Sequence, residues 1–155
     1  MQNFVISFSH PFDETLDIDI EQASASKVIE VFKNIAWKDF FIAYHETKND
    51  DAFDYFEVEF EDADNISFNI DISLYKDFDE EIKINPENVE LKFDVSFYTS
   101  KTVLKKVLFG LFGERNELKQ KSFYLENQKL EMTFKCLYAF VSLDFDFLKQ
   151  NMEEL

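Results

Sequence analysis

An α+β fold is predicted, a twisted antiparallel sheet of six to eight strands with two helices on one face, and three features of the sequence carry it. The first is strict alternation in Ile66-Ser67-Phe68-Asn69-Ile70-Asp71-Ile72-Ser73-Leu74, where even positions are apolar and odd positions polar. That period of two belongs to a strand with one dry and one wet face. It returns at Leu16/Ile18/Ile20, Phe56/Val58/Phe60, Val89/Leu91/Phe93/Val95/Phe97 and Leu143/Phe145/Phe147. The second feature is a pair of stretches, each opening on Ser or Thr, with helical apolar stripes. The third is polar turn punctuation at Lys48-Asn49-Asp50-Asp51 and Asp62-Ala63-Asp64-Asn65. The wet faces are largely carboxylate: Asp17, Asp19 and Glu21; Glu57, Glu59 and Glu61; Glu90 and Asp94; Asp144 and Asp146.

Taken in order, residues 3–8 form a first strand, broken by His10-Pro11, and 16–21 form a second. Ser24 or Ser26 caps a helix to about residue 35, whose Val28, Ile29, Val31, Phe32 and Ile35 make one stripe. Residues 38–46 read as a strand of mixed faces. Strands 53–61 and 66–75 pair as a hairpin with a four-residue loop. Residues 76–88 are acidic, carry Pro86 and read as an exposed connection to the strand 88–98. Thr99 or Ser100 then caps a second helix through about 112, with Val103, Leu104, Val107, Leu108 and Leu111 buried. Gly113 suits the position after its end, where a positive φ is common. Strands 119–126 and 129–147, bent near Ala139 to Ser142, complete the sheet, and the tail from Lys149 frays.

The 155 residues make a single domain, 1–155, large enough to bury its own core. Leu16-Asp-Ile-Asp-Ile ahead of Ser26-Lys27-Val28-Ile29 has a counterpart in Leu91-Lys-Phe-Asp-Val ahead of Ser100-Lys101-Thr102-Val103. The halves 16–75 and 89–147 are therefore candidates for a duplicated β-α-β-β unit; chance alternation is the competing explanation.

Twenty Phe and two Gly skew the composition, and Asp plus Glu outnumber Lys plus Arg by 32 to 16. A net charge of −16 disfavours nucleic acid and anionic membranes and favours a basic partner. Charge is uneven. Residues 101–121 hold six bases against Glu114 and Glu117, a net of +4, so the remainder carries −20. That basic segment is expected to pair with the acidic connection 77–81 or with a second subunit's sheet, since no glycine-rich phosphate cradle accompanies it. The lone Cys136 allows no internal disulfide, and the first twelve residues lack Lys, Arg and a long apolar run. A cytoplasmic protein without a signal peptide is expected.

No catalytic or cofactor motif is present. Nucleophilic catalysis needs a base beside the nucleophile. The only imidazoles are His10, in a turn before Pro11, and His45, at the end of an apolar run. Both read as structural, and Cys136 as a core thiol. Asp50, Asp51 and Asp54, and Asp62 and Asp64, cluster at turns, yet no calcium loop or His pair accompanies them. The expectation is a protein without enzymatic activity, cofactor or metal.

The element order as read, helix, strands, helix, strands, resembles that of the small acidic chaperones of bacterial secretion systems, with strands before the first helix as a departure. That resemblance implies a dimeric chaperone with an exposed apolar groove. The acidity instead points to an inhibitor of a basic protein, of the immunity or antitoxin type directed at a bacterial toxin, acting as monomer or homodimer. Its partner-binding residues are expected to be Asp17, Asp19, Glu57, Glu59, Glu61, Asp71, Glu90 and Asp94, with Tyr55 as an aromatic anchor. A small apolar-ligand cup is a further alternative and requires an enclosed apolar cavity.

Overall fold

The computed structural model describes residues 2–47, 54–75, 88, 90–106 and 113–155. Its centre is a seven-stranded, wholly antiparallel sheet in the order β2-β1-β3-β4-β5-β6-β7. The strands are β1 (Phe4–Ser9), β2 (Ile18–Ala23), β3 (Tyr55–Glu61), β4 (Ile66–Leu74), β5 (Lys92–Lys106), β6 (Glu114–Lys129) and β7 (Glu153–Glu154). Four α-helices accompany it among the described residues: α1 (Ala25–Asn34), α2 (Trp37–Thr47), α3 (Leu130–Val141) and α4 (Phe145–Asn151). The predicted α+β class and antiparallel sheet are what the chain adopts. None of the described helices is long and apolar enough to cross a membrane.

Alternation builds the core directly. Phe4, Ile6 and Phe8 of β1, Phe56 and Val58 of β3, Ile70 and Ile72 of β4, and Phe93, Val95 and Phe97 of β5 are all buried on one face. The hairpin between β3 and β4 turns through the four expected residues. Asp62 Oδ1 accepts from the backbone N–H groups of Asp64 and Ile66, each at 2.9 Å, and Asn65 takes the left-handed conformation at φ 58°. The Ser24 hydroxyl caps α1 by accepting from Lys27 N–H at 3.2 Å.

Residues 37–47 are a helix, not the expected strand. Trp37, Phe40, Phe41 and Tyr44 are buried, a spacing of three, one and three that fits 3.6 residues per turn and no strand. The aromatic content imitates a β-rich run, but tertiary packing selects the helix. Trp37 ties it to α1 through its indole N–H, which donates to the Phe32 carbonyl at 3.3 Å.

The C-terminal half departs further. Residues 99–106 continue β5 where a helix is expected, because β6 offers a ladder partner at every position from Thr99 to Lys106. The counterpart segment of the apparent repeat is therefore strand, not helix. Residues 130–151, read as a bent strand with a frayed tail, form α3 and α4. Thr133, Cys136, Leu137, Phe140 and Val141 are buried at helical spacing, while the alternating Met132/Phe134/Cys136/Tyr138 series coincides with it only at Cys136. Leu143 reverses the chain at φ 59°, and Asp144 caps α4 by accepting from Phe147 N–H at 3.2 Å. Met152 is buried and β7 pairs with β6, so the tail is anchored. The predicted turn 48–51, most of the acidic connection 76–88, and Val107, Leu108 and Leu111 of the expected helix lie outside the described residues.

Candidate functional site

The described helices lie on one face of the sheet, and no described helix covers the other. Registers place a continuous row across that outer face: Asp19, Ser7, Glu57, Asp71, Ser96, Tyr124 and Glu153, one residue from each strand. A second row runs Val5, Glu59, Asn69, Tyr98 and Ser122, and a third begins at Glu61 and Ser67. Strand neighbours are about 4.8 Å apart and same-face positions along a strand about 7 Å. The carboxylates of Asp19, Glu57, Glu59, Glu61 and Asp71 consequently share one surface.

Asp71 is its most constrained member. It lies directly opposite Glu57, a like-charged cross-strand pair, which is a destabilising arrangement. Asn69 Nδ2 donates to Glu57 Oε1 at 3.0 Å and so holds one partner of the pair. Asp71 Oδ1 is buried and meets no donor among the described residues. Burial, and then the charge of Glu57, pushes its carboxyl up to about 7. A half-buried carboxyl that changes charge near neutrality, with one oxygen that meets no described donor, is unusual in a structural role.

A cavity of about 440 Å³ opens beside it. Tyr55 and Tyr124 line it together with Asp71, Ser73, Ser96 and Leu155. Burial first, and then the Asp71 charge, raise the Tyr55 phenol, while Tyr124 is raised by its hydrogen bond to Glu153. Both phenols therefore stay neutral donors. The cavity combines the carboxylates of Asp71, Asp94 and Glu126 with two aromatic rings and two serine hydroxyls, a set matched to an ammonium or guanidinium group.

Two of the expected residues stand apart from this surface. Asp17 precedes β2 and serves the β1–β2 turn, its Oδ1 accepting from His10 N–H at 2.6 Å. Glu90 precedes β5 and faces Lys129 at 3.8 Å. Asp94 lines the cavity rim, and its Oδ1 accepts from Asn127 N–H at 3.0 Å where β5 and β6 slip register. Its first duty is therefore to that irregularity. Ser96 and Tyr124 were not expected in the site; only the β4–β5–β6 register brings them beside Asp71.

The residues weighed for chemistry have structural surroundings. His10 Nδ1 accepts from Asp13 N–H at 2.9 Å and Phe12 N–H at 3.2 Å, capping the turn. His45 sits on α2 against the Phe41 ring at 4.8 Å. Cys136 is buried on α3, and burial pushes its thiol up to about 11. Asp54, one of the turn carboxylates, is buried, accepting from Tyr44 Oη at 2.9 Å and from Leu74 N–H at 2.7 Å. An apolar groove of about 450 Å³ lies elsewhere, between β1–β2 and α1, with Leu16, Ile18 and Val31 in its lining.

No protein-family model, curated protein or solved structure matches this chain.

Proposed function

We propose that this chain is a non-enzymatic binding protein that neutralises a basic protein partner through the outer face of its sheet. Within that class, an immunity or antitoxin-type inhibitor of a bacterial toxin fits best. Such a partner carries a cationic cleft, and steering by a −16 protein speeds capture.

Asp71 is the observation that carries the reading. Its buried oxygen meets no donor among the described residues, and its carboxyl faces Glu57 across the ladder. An arginine or lysine of the partner entering the cavity would supply the donor, cancel the repulsion and lie against Tyr55 or Tyr124. The surrounding carboxylates Asp19, Glu59 and Glu61 would act mainly on association rate, Asp19 and Glu61 being exposed and Glu59 partly so, and all within reach of screening salt.

The test is retention of lysate proteins on the immobilised chain at low salt, eluted with a salt gradient and identified by mass spectrometry, in parallel with Asp71→Asn/Glu57→Gln. A basic protein released at moderate salt, and lost by the double variant, is expected. Binding should tighten between pH 6 and 8, because the cation prefers ionised Asp71, whose carboxyl sits at about 7. A partner held equally by both proteins and indifferent to pH overturns the reading, and a salt-resistant one moves attention to the apolar groove.

A further inference from the structure

The inner, helix-covered face of the sheet changes character at one end. Phe97 and Phe123 are a cross-strand pair beneath the helices. The next pairs on the same face are Thr99 with Lys121 and Lys101 with Lys119. The ladder continues through Val103 with Glu117 and Lys105 with Arg115, placing positions 105 and 115 in the same series. β4 ends at Ile66, opposite Lys101. Beyond it, Thr102–Lys106 and Glu114–Leu118 pair only with each other, an arm of five residue pairs about 17 Å long.

The lysines at its base have no counter-charge among the described residues. Lys101, Lys119 and Lys121 are exposed and make no ion pair with any described carboxylate, although acids outnumber bases by 32 to 16. Lys101 and Lys119 lie directly opposite each other, so their charges repel. Leu118, paired with Thr102 and 62% exposed, falls on the opposite face of the same ladder. An anionic surface is the complement of this patch. Polyanions are repelled by the remainder of the chain, which carries −20 against the +4 of residues 101–121.

We propose that the lysine cluster at the base of the β5–β6 arm of one copy, Lys101, Lys119 and Lys121, docks on the carboxylate face of a second copy. Spacing supports the match: Lys121 and Lys119 are two residues apart on β6, as Glu57 and Glu59 are on β3, about 7 Å in both. Arm and face are different surfaces of one chain, so the contact is head-to-tail and leaves an open arm and an open face at either end. Self-association and capture of a basic partner then compete for the same carboxylates. The inference shares the acidic face with the proposed function but stands on the arm.

Sedimentation velocity of the wild type at about 20 mM and 500 mM salt, with two variants, tests it. One variant breaks the arm, Lys101→Glu/Lys119→Glu; the other breaks the face, Glu57→Lys/Glu59→Lys. Thermal melts verify folding, and Lys→Gln or Glu→Gln pairs replace any variant that fails to fold. Wild type should associate beyond a dimer at low salt and dissociate at high salt, while each variant alone stays monomeric. An equimolar mixture should associate again, since the intact arm of one variant meets the intact face of the other and the reversed arm likewise complements the reversed face. A wild type monomeric at low salt, an arm variant that still associates, or a mixture that stays monomeric overturns the proposal. So does a monomeric wild type held on heparin through Lys101 and Lys119. A monomeric wild type that still captures a basic protein overturns this inference alone.

Discussion

Asp71 shows what one residue can hold at the expense of stability. With its carboxyl moved from 3.8 to about 7, native Asp71 keeps its proton where the unfolded chain has lost it. Below pH 4 both states are protonated and the residue is neutral to stability. Between pH 4 and 7 the unfolded chain binds fewer protons, so stability falls as pH rises, and the full cost is present above 7. Asp71→Asn is therefore expected to stabilise the protein at pH 8 by on the order of 2 kcal/mol, after allowance for its partial exposure, and by almost nothing at pH 4. Urea unfolding at the two pH values measures this; an equal difference at both would sink the account. Asp54 is the opposite case, with both oxygens accepting hydrogen bonds from α2 and β4. Its burial costs little because it is satisfied. The sequence shows two aspartates with similar neighbours, and only their surroundings separate the strained one from the structural one.

Among the elements, the C-terminal segment links the helical layer to the outer site. Phe145 of α4 stacks on Phe68 at 4.1 Å and on Phe97 at 5.5 Å, closing the core over β4 and β5. Met152 is buried just after α4, and β7 then pairs with β6 beside the cavity that Leu155 lines. Met152→Ala is expected to lower stability by about 2–3 kcal/mol through lost burial and the void left behind. The same change should weaken capture of the basic partner by loosening the cavity wall. Thermal melts read the first effect, and a melting temperature equal to wild type would mean the tail is not anchored there. α2 and α3 were hidden in the sequence because aromatic and β-branched residues satisfy both periods over short runs. Trp37, Phe40, Phe41 and Tyr44 have helical spacing within a run that also looks like a strand.

For the molecule as a whole, charge and core oppose each other. Rings pack at the centre, where Phe32 meets Trp37, Phe56, Phe93 and Phe134 at centroid distances of 5.2–6.1 Å. Each fully buried side chain of this kind contributes roughly 1.5–3 kcal/mol. Against that stands the self-repulsion of a −16 chain that sets Asp19, Glu57, Glu59, Glu61 and Asp71 on one face. Salt screens this repulsion, so raising ionic strength from about 10 to 200 mM should raise the melting temperature by several degrees. Asp71→Asn/Glu57→Gln should show a smaller rise. No salt dependence in wild type would mean that the charges are too dispersed to matter. The polarity between acidic face and basic arm also follows only from registers that set distant segments side by side.

The sequence by itself determined the fold class, the first two strands, α1, the β3–β4 hairpin and the acidic character of the outer face. Those features rest on local periodicity, capping and turn chemistry, which need no distant partner. Tertiary structure decided the rest. Whether 37–47 and 130–151 become helix or strand depends on which face finds a core to cover. Whether 99–106 becomes helix or strand depends on β6 being available as a ladder partner. Asp71 acquires its buried oxygen, its opposing Glu57 and its two tyrosines from β3, β5 and β6. The field at a carboxyl is set by neighbours in space, and adjacency across a ladder is not written in adjacency along the chain.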